Sequence, residues 1–259
     1  MRSLLFGPLD RWRSPPPGPT KVAWLGQAEY AHRGLHSAGV PENSPSAFAA
    51  AIVKGMGIEC DVQRSRDGQA VVFHDAELDR LTGESGPLAA RTSAELGKIV
   101  LTGSTDTIPT LPQLLAQLGG KVPLLIEIKS PRRSGIRVSA LCLAVKRALE
   151  GYLGPHAIMS FDPRVVHWFA VHSAMTVRGL VVTEENGQTL QGMVKRRLSL
   201  WHARPDFLAY DIRDLPSRFA AAQRKRGLPL LTWTVRSAQL RERAARCADA
   251  PIAEGDGVA

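Results

Sequence analysis

The sequence predicts an α/β fold, a (β/α)8 TIM barrel, on three observations. Eight short β-type runs alternate with helical runs from Glu29 onward, the pattern of parallel strands joined by crossover helices. The run Leu124–Lys129 is almost continuously apolar, as a parallel strand covered on both faces must be. The chain has 259 residues, which is long for one open sheet and ordinary for one barrel.

In chain order the strand candidates are Glu29–His32, Gly57–Gln63, Leu124–Lys129, Ala157–Phe161, Val177–Val182, Phe207–Tyr210, Leu230–Val235 and Ala250–Glu254. Helical patterns fall between most of them, at Ser44–Lys54, Leu111–Leu118, Ile136–Glu150, Pro163–Val171, Gln188–Arg197, Pro216–Lys225 and Ser237–Arg246. A helix after each strand but the last favours the barrel over a doubly wound sheet. Residues 64–110 interrupt the alternation. They open with Arg66-Asp67-Gly68 and the β-rich run Ala70–His74, and Asp-Gly before such a run signals a hairpin. They read as a small excursion after the second strand. Residues 1–25, with the proline cluster Pro15-Pro16-Pro17, read as an irregular N-terminal arm ahead of one barrel domain at 26–259.

Hydrophobic residues at 44% and charged residues at 22% allow a sizeable core and argue against global disorder. The net charge of +9 favours anionic partners, whether phosphates, lipid headgroups or nucleic acid, without choosing among them. Cys60, Cys142 and Cys247 lack the spacing of a disulfide framework or a zinc site and read as free thiols. No apolar run approaches the roughly 20 residues of a membrane span, and the run Leu4–Phe6 is too short for a secretory signal. The expectation is a cytoplasmic protein without stable membrane insertion; the sequence does not give its oligomeric state.

Four motifs carry chemistry. Tyr30-Ala31-His32-Arg33-Gly34 puts a His and an Arg where the first strand should end, which in a barrel is the catalytic rim. The His suits proton transfer near neutral pH, and the Arg fork suits a phosphate; the bland alternative is a strand-end His bonded to a backbone carbonyl. Asn43 or Ser44, ahead of Pro45, caps the following helix. In Ile58-Glu59-Cys60-Asp61-Val62 the two-residue repeat puts Glu59 and Asp61 on one strand face. If that face is interior, two carboxylates converge there, and a hard divalent cation is the simplest way to offset their burial. Val71-Val72-Phe73-His74-Asp75 supplies a second His in the excursion. Leu124-Leu125-Ile126-Glu127-Ile128-Lys129 puts a Glu and a Lys on one face of a buried strand, either as a plain ion pair or at a metal.

Taken in order, His32-Arg33-Gly34, Pro41-Glu42-Asn43-Ser44, Glu59-Cys60-Asp61-Val62, Asp67-Gly68, His74-Asp75 and Glu127-Ile128-Lys129 resemble the glycerophosphodiester phosphodiesterase family, and Ser160-Phe161 and Trp233-Thr234-Val235 match its later strand ends. The resemblance runs from Tyr30 to Glu254. It implies a phosphoric diester hydrolase that cleaves small-molecule glycerophosphodiesters to glycerol 3-phosphate and an alcohol with a bound divalent cation, magnesium or calcium. By that resemblance Glu59, Asp61 and Glu127 are the metal carboxylates and His32 and His74 the acid–base pair. Arg33 binds the phosphate, Glu42, Lys129 and Trp233 line the substrate site, and Asn43 supports it. The sequence departs from the family at Ser44, where threonine is usual, and at Ala250-Pro251-Ile252-Ala253-Glu254, where Glu254 is the candidate to complete the site. The stretch Glu184–Arg204 reads longer than a plain connection.

Two rivals remain at this stage. A lysophospholipase D-type or phosphatidylinositol-cleaving phospholipase also uses a barrel and paired histidines, but the metal-free type has no need of three carboxylates. A non-catalytic phospholigand or nucleic-acid binding module is permitted by the charge alone. No nucleic-acid motif supports it. The basic clusters Arg196-Arg197, Arg224-Lys225-Arg226 and Arg241 to Arg246 could touch anionic lipid, as a lysolipid substrate would require, but read first as solvated helix faces.

Overall fold

The computed structural model describes residues 6–130, 135–184 and 189–259. The elements run α1 (Gly7–Arg13), α2 (Pro19–Val22), β1 (Tyr30–His32), α3 (Pro45–Val53), β2 (Gly57–Arg64), β3 (Ala70–Val72), α4 (Ser93–Leu96), α5 (Leu111–Leu118), β4 (Leu124–Ile128), α6 (Gly135–Ala148), β5 (His156–Ser160), α7 (Pro163–His172), β6 (Val177–Val182), α8 (Leu190–Ala203), β7 (Phe207–Asp211), α9 (Arg218–Lys225), β8 (Leu230–Val235), α10 (Ala238–Cys247) and β9 (Ala250–Ala253). Every predicted strand and helix has its counterpart within a few residues, except that the helix expected at Gln188–Arg197 runs on to Ala203 and its first expected residue lies outside the described set. β1, β2 and β4 to β9 make the eight barrel strands, and β3 is the extra strand of the excursion. This is the (β/α)8 class that the alternation predicts.

The chain forms two compact units, residues 30–156 and residues 1–29 with 157–259. In the first, β2 pairs in parallel with β1 (Tyr30↔Gly57) and with β4 (Asp61↔Glu127), and antiparallel with β3 (Val62↔Val72). The β2–β4 register sets Asp61 directly beside Glu127. The Asp67-Gly68 signal is the turn of the β2–β3 hairpin: Gly68 sits at φ 86°, where a side chain would be strained. Asp67 then accepts from the Ser93 amide at 2.9 Å and the Ser93 hydroxyl at 2.8 Å, fastening the turn to α4. The excursion has its own apolar cluster, built from Val71, Phe73, Leu78, Leu88, Leu96, Leu101 and Ile108. That cluster gives a loop-rich stretch a fixed shape.

In the second unit β5 to β9 pair in parallel in sequence order. Its core packs Val166, Leu180, Leu200, Leu208, Tyr210 and Leu230 between strands and helices. Residues 1–25 are expected to be irregular; their described part, from residue 6, instead carries α1, α2 and most of a short 3-10 turn at Ala23–Gly26. The reason is tertiary. Buried Asp10 accepts from Trp201 Nε1 at 2.8 Å and Gln223 Nε2 at 3.0 Å, so a seven-residue helix too short to stand alone is held by α8 and α9. Helix α8 fills much of the stretch Glu184–Arg204; residues 185–188 within it lie outside the described set. Among the described residues no helix is long and apolar enough to cross a membrane.

The fully buried Leu78 holds the excursion's cluster to the loop that follows His74. Leu78→Ala should cost about 2–5 kcal/mol in denaturant unfolding, the range for deleting a buried leucine side chain. A cost below about 1 kcal/mol would mean the excursion is only loosely packed.

Candidate active site

The site is assembled on the first unit by strand alternation. Glu59 and Asp61 of β2 and Glu127 of β4 are buried, and one ligand atom from each lies within 4.8 Å of the others. Lys129, two residues beyond Glu127 on the same face, places Nζ 2.6 Å from Glu127 Oε1 and 2.8 Å from Asp61 Oδ1. Both readings of Glu127 thus hold together: it is ion-paired, and it stands in a three-carboxylate cluster.

The loop after β1 supplies the next layer. Arg33 adopts φ 57° and its backbone N–H donates to Glu59 Oε2 at 3.1 Å. Its Nη1 donates to Glu42 Oε1 at 2.7 Å, and its Nε lies 3.3 Å from Asp61 Oδ2. His32 Nε2 lies 4.0 Å from Glu59 Oε2. Asn43 is not the helix cap; Ser44 is, accepting from the Ala47 amide at 3.1 Å. Asn43 instead bonds Asp61 twice, donating to Oδ2 at 2.9 Å and accepting from its amide at 3.2 Å. The excursion supplies His74, whose Nδ1 lies 2.7 Å from Asp75 Oδ1.

Electrostatics follow from this crowding. Burial, then the charges of Asp61 and Glu127, push Glu59 well above the usual carboxylate range. Burial raises Glu127 as well, against the pull of Lys129. Burial acts in the same direction on Asp61, but Lys129, His74 and Arg33 outweigh it and hold the group low. Burial lowers His74, with Lys129 and Arg33 adding to the effect and Asp61 and Asp75 opposing it. Five carboxylates, Glu42, Glu59, Asp61, Asp75 and Glu127, here face three fixed cations, Arg33, Arg80 and Lys129, and with too few cations to pair them all it is Glu59 and Glu127 that are pushed toward their neutral forms. Buried Glu59 Oε1 has no hydrogen-bond partner. Carboxylates that outnumber the cations able to pair them, an all-oxygen donor set and an orphaned buried oxygen fit a hard divalent cation.

Two contributors escaped the sequence reading. Gln63 continues the Glu59–Asp61 alternation along β2, and its Nε2 donates to the carbonyls of Phe73, His74 and Asp75, tying the His74 segment to β2. Strand periodicity would have found it. Arg80 bridges Glu42 and Asp75, and no spacing signal marks it. Trp233 belongs to the other unit, at the C-terminal part of β8; its Nε1 donates to the Ala209 carbonyl at 2.9 Å, and its ring meets Phe161 edge-on at 5.3 Å. Glu254, just after β9, is ion-paired with Arg236 at 2.5 Å.

A family model of the glycerophosphoryl diester phosphodiesterase family matches residues 32–253. The chain belongs to that family. It is a phosphodiesterase, as the expected resemblance implies. A glycerophosphodiester phosphodiesterase of Caldanaerobacter subterraneus subsp. tengcongensis is 31% identical over 221 residues, covering 79% of this chain and 84% of the relative. Others align over about half their length, such as the glycerophosphodiester phosphodiesterase of Bacillus altitudinis, 35% identical over 131 residues and covering 48% of this chain and 52% of that one. Among solved structures, the Thermotoga maritima glycerophosphodiester phosphodiesterase has a TM-score of 0.69 at 27% identity, covering 87% of this chain and 93% of that one. An Oleispira antarctica phosphodiesterase, solved in complex with the product sn-glycerol-3-phosphate, has a TM-score of 0.76 at 22% identity, covering 87% of this chain and 92% of that one. At that identity the likeness shows the fold.

Asn43 sits at φ 54° and is fully committed to Asp61. Asn43→Gly should lose about 1–3 kcal/mol, the cost of the two broken bonds. Asn43→Ala should lose about 1 kcal/mol more, because alanine resists the left-handed conformation. Equal stability of the two variants in urea unfolding would contradict the backbone part of this account.

Proposed function

We propose that this phosphodiesterase hydrolyses small-molecule glycerophosphodiesters to glycerol 3-phosphate and an alcohol, assisted by a divalent cation, magnesium or calcium, at Glu59, Asp61 and Glu127. The observation that carries the reading is the buried trio of carboxylates within 4.8 Å, left with an orphaned oxygen on Glu59 and flanked by Arg33, Lys129 and His74. The glycerol 3-phosphate bound to the Oleispira antarctica phosphodiesterase supports the substrate class. A cation held there would polarise the phosphate and take up charge as the transition state forms.

The chain's own residues supply the rest. Arg33 and Lys129 present fixed positive charge toward the phosphate oxygens. Nδ1 of His74 is committed to Asp75, which leaves Nε2 as the atom that exchanges a proton. One of His32 and His74 takes the proton from the attacking hydroxyl as its oxygen bonds phosphorus. The other gives a proton to the alkoxide as the second P–O bond breaks. The same two transfers serve glycerol's own 2-hydroxyl, through a cyclic phosphate that water then opens, or water directly. Glu42 orients Arg33, Asn43 fixes Asp61, and Trp233 is assigned to the substrate's glycerol or alcohol portion. A cytoplasmic location is part of the proposal, supported by Cys60, Cys142 and Cys247, none of which is in a disulfide.

Turnover of glycerophosphocholine should vanish with chelator and return with magnesium or calcium; full activity after exhaustive chelation would sink the metal assignment. Glu127→Gln sharpens the test, because Lys129 keeps Asp61 at 2.8 Å when Glu127 loses its charge. Metal-free stability should fall by under about 2 kcal/mol. The stabilisation by excess cation, about 2.7 kcal/mol at a hundredfold over Kd, should disappear. A large loss of metal-free stability with an unchanged cation-induced shift would make Glu127 a structural partner of Lys129 only.

His32→Ala and His74→Ala should each lower kcat by about 10²–10⁴-fold, the range for a general acid or base, with little change in thermal unfolding. Near-normal kcat in either variant removes that residue from the acid–base pair.

A further inference from the structure

Arg80 lies on the excursion six residues after His74 and touches none of the three carboxylates of the cluster in the contacts described above. Its guanidinium nevertheless engages two acidic side chains at once. Nε donates to Asp75 Oδ2 at 2.5 Å; Nη1 and Nη2 donate to Glu42 Oε2 and Oε1 at 3.1 and 2.7 Å. Each of those carboxylates serves a residue of the proposed chemistry. Asp75 Oδ1 meets His74 Nδ1 at 2.7 Å, and Glu42 Oε1 accepts from Arg33 Nη1 at 2.7 Å. Arg80 is therefore the junction between the histidine and the phosphate-binding arginine. Only a planar fork with several N–H groups can do this; an ammonium at the same place is a point charge without the bidentate geometry.

The loop that carries Arg80 is itself fixed. Leu78 is buried in the excursion's apolar cluster, its amide donates to the Gly86 carbonyl at 3.0 Å, and the Leu88 amide donates to the Ala76 carbonyl at 2.9 Å. Arg80 thus starts from a built scaffold, although its side chain is about half exposed.

We infer that Arg80 is a positioning residue of the reaction, which aligns His74 through Asp75 and Arg33 through Glu42 and so couples the proton-transfer group to the phosphate-binding group. This rests on the acid–base and phosphate roles assigned above. Arg80 also neutralises Asp75, and that sets a direction. His74 is faced by Asp61 and Asp75, which favour its charged form, and by Lys129 and Arg33, which disfavour it. Without Arg80, the full charge of Asp75 acts on the imidazole, so His74 holds its proton to higher pH.

The test uses the full-length protein with Arg80→Gln and Arg80→Lys, at one fixed metal concentration. The His74 ring is followed by NMR titration, its signals identified by their loss in His74→Ala. Turnover of glycerophosphocholine is measured in parallel. Arg80→Gln should raise the His74 titration midpoint, move the corresponding limb of the kcat/KM profile to higher pH, and lower kcat about 10–100-fold, as loss of an orienting partner does. Arg80→Lys should return the midpoint toward the parent value, because it restores charge, but leave kcat depressed, because the fork is gone. An unmoved His74 midpoint in Arg80→Gln overturns the inference, and so does unchanged kcat. The NMR readout does not depend on what His74 does in turnover. Should His74→Ala stay active, the acid–base assignment fails by itself while the titration still judges Arg80.

Discussion

The site is organised by the cost of bringing Glu59, Asp61 and Glu127 together inside parallel strands. The β2–β4 register places Asp61 beside Glu127, and strand alternation adds Glu59 and Lys129 to the same face. Like charges at this separation cannot all stay ionised in a buried place without compensation. Most of the surrounding polar architecture supplies that compensation. Lys129 spans two of the carboxylates, Arg33 reaches a second pair with its backbone and its side chain, and Asn43 clasps Asp61 from both ends. What is left over, an orphaned oxygen on Glu59 among carboxylates that outnumber their cations, fits a divalent cation.

The excursion has a place in the same account. A β2–β3 hairpin extends the strand that carries Glu59 and Asp61, and its return leg ends at Phe73-His74-Asp75. His74 is thereby held at a fixed distance in sequence and space from the carboxylates, with Gln63 of β2 gripping three successive carbonyls across the gap. The small apolar cluster beneath the excursion makes this a rigid arm and gives Arg80 a firm base. A loop without that cluster would carry the same residues but would lose their alignment to chain entropy.

The fold class and much of the candidate site's geometry were readable from the sequence because both rest on strand periodicity. Alternation exposed the pairing of Glu59 with Asp61 and of Glu127 with Lys129, and the Asp67-Gly68 dipeptide exposed the hairpin. What was not readable depended on contacts between distant segments. Helix α1 is seven residues long and exists because Asp10 finds Trp201 and Gln223, some 190 and 210 positions away. Arg80 belongs to no periodic element, so its link to Glu42, 38 positions upstream, leaves no local trace. The choice between Asn43 and Ser44 as helix cap needed the position of Asp61, which claims Asn43 for itself.

The loop between β1 and α3 shows why the arrangement does not relax. Arg33 and Asn43 both occupy the left-handed region, at φ 57° and 54°, a conformation that side chains disfavour. Each is held there by groups that work only in that conformation. Arg33 turns its N–H onto Glu59, Asn43 turns its amide onto Asp61, and the Asn43 N–H closes the loop on the Arg33 carbonyl at 2.8 Å. Gly34 follows at φ 79°, packed so close to α3 that a Cβ would come within 2.9 Å of Ala47. An ordinary turn here would free the backbone, but it would strip a donor from Glu59 and both Asn43 bonds from Asp61, leaving buried carboxylates with still fewer partners. The local strain costs less than that loss, about 1–3 kcal/mol per residue against the desolvation of charged groups. The carboxylates therefore hold the loop, and the loop in turn aims Arg33.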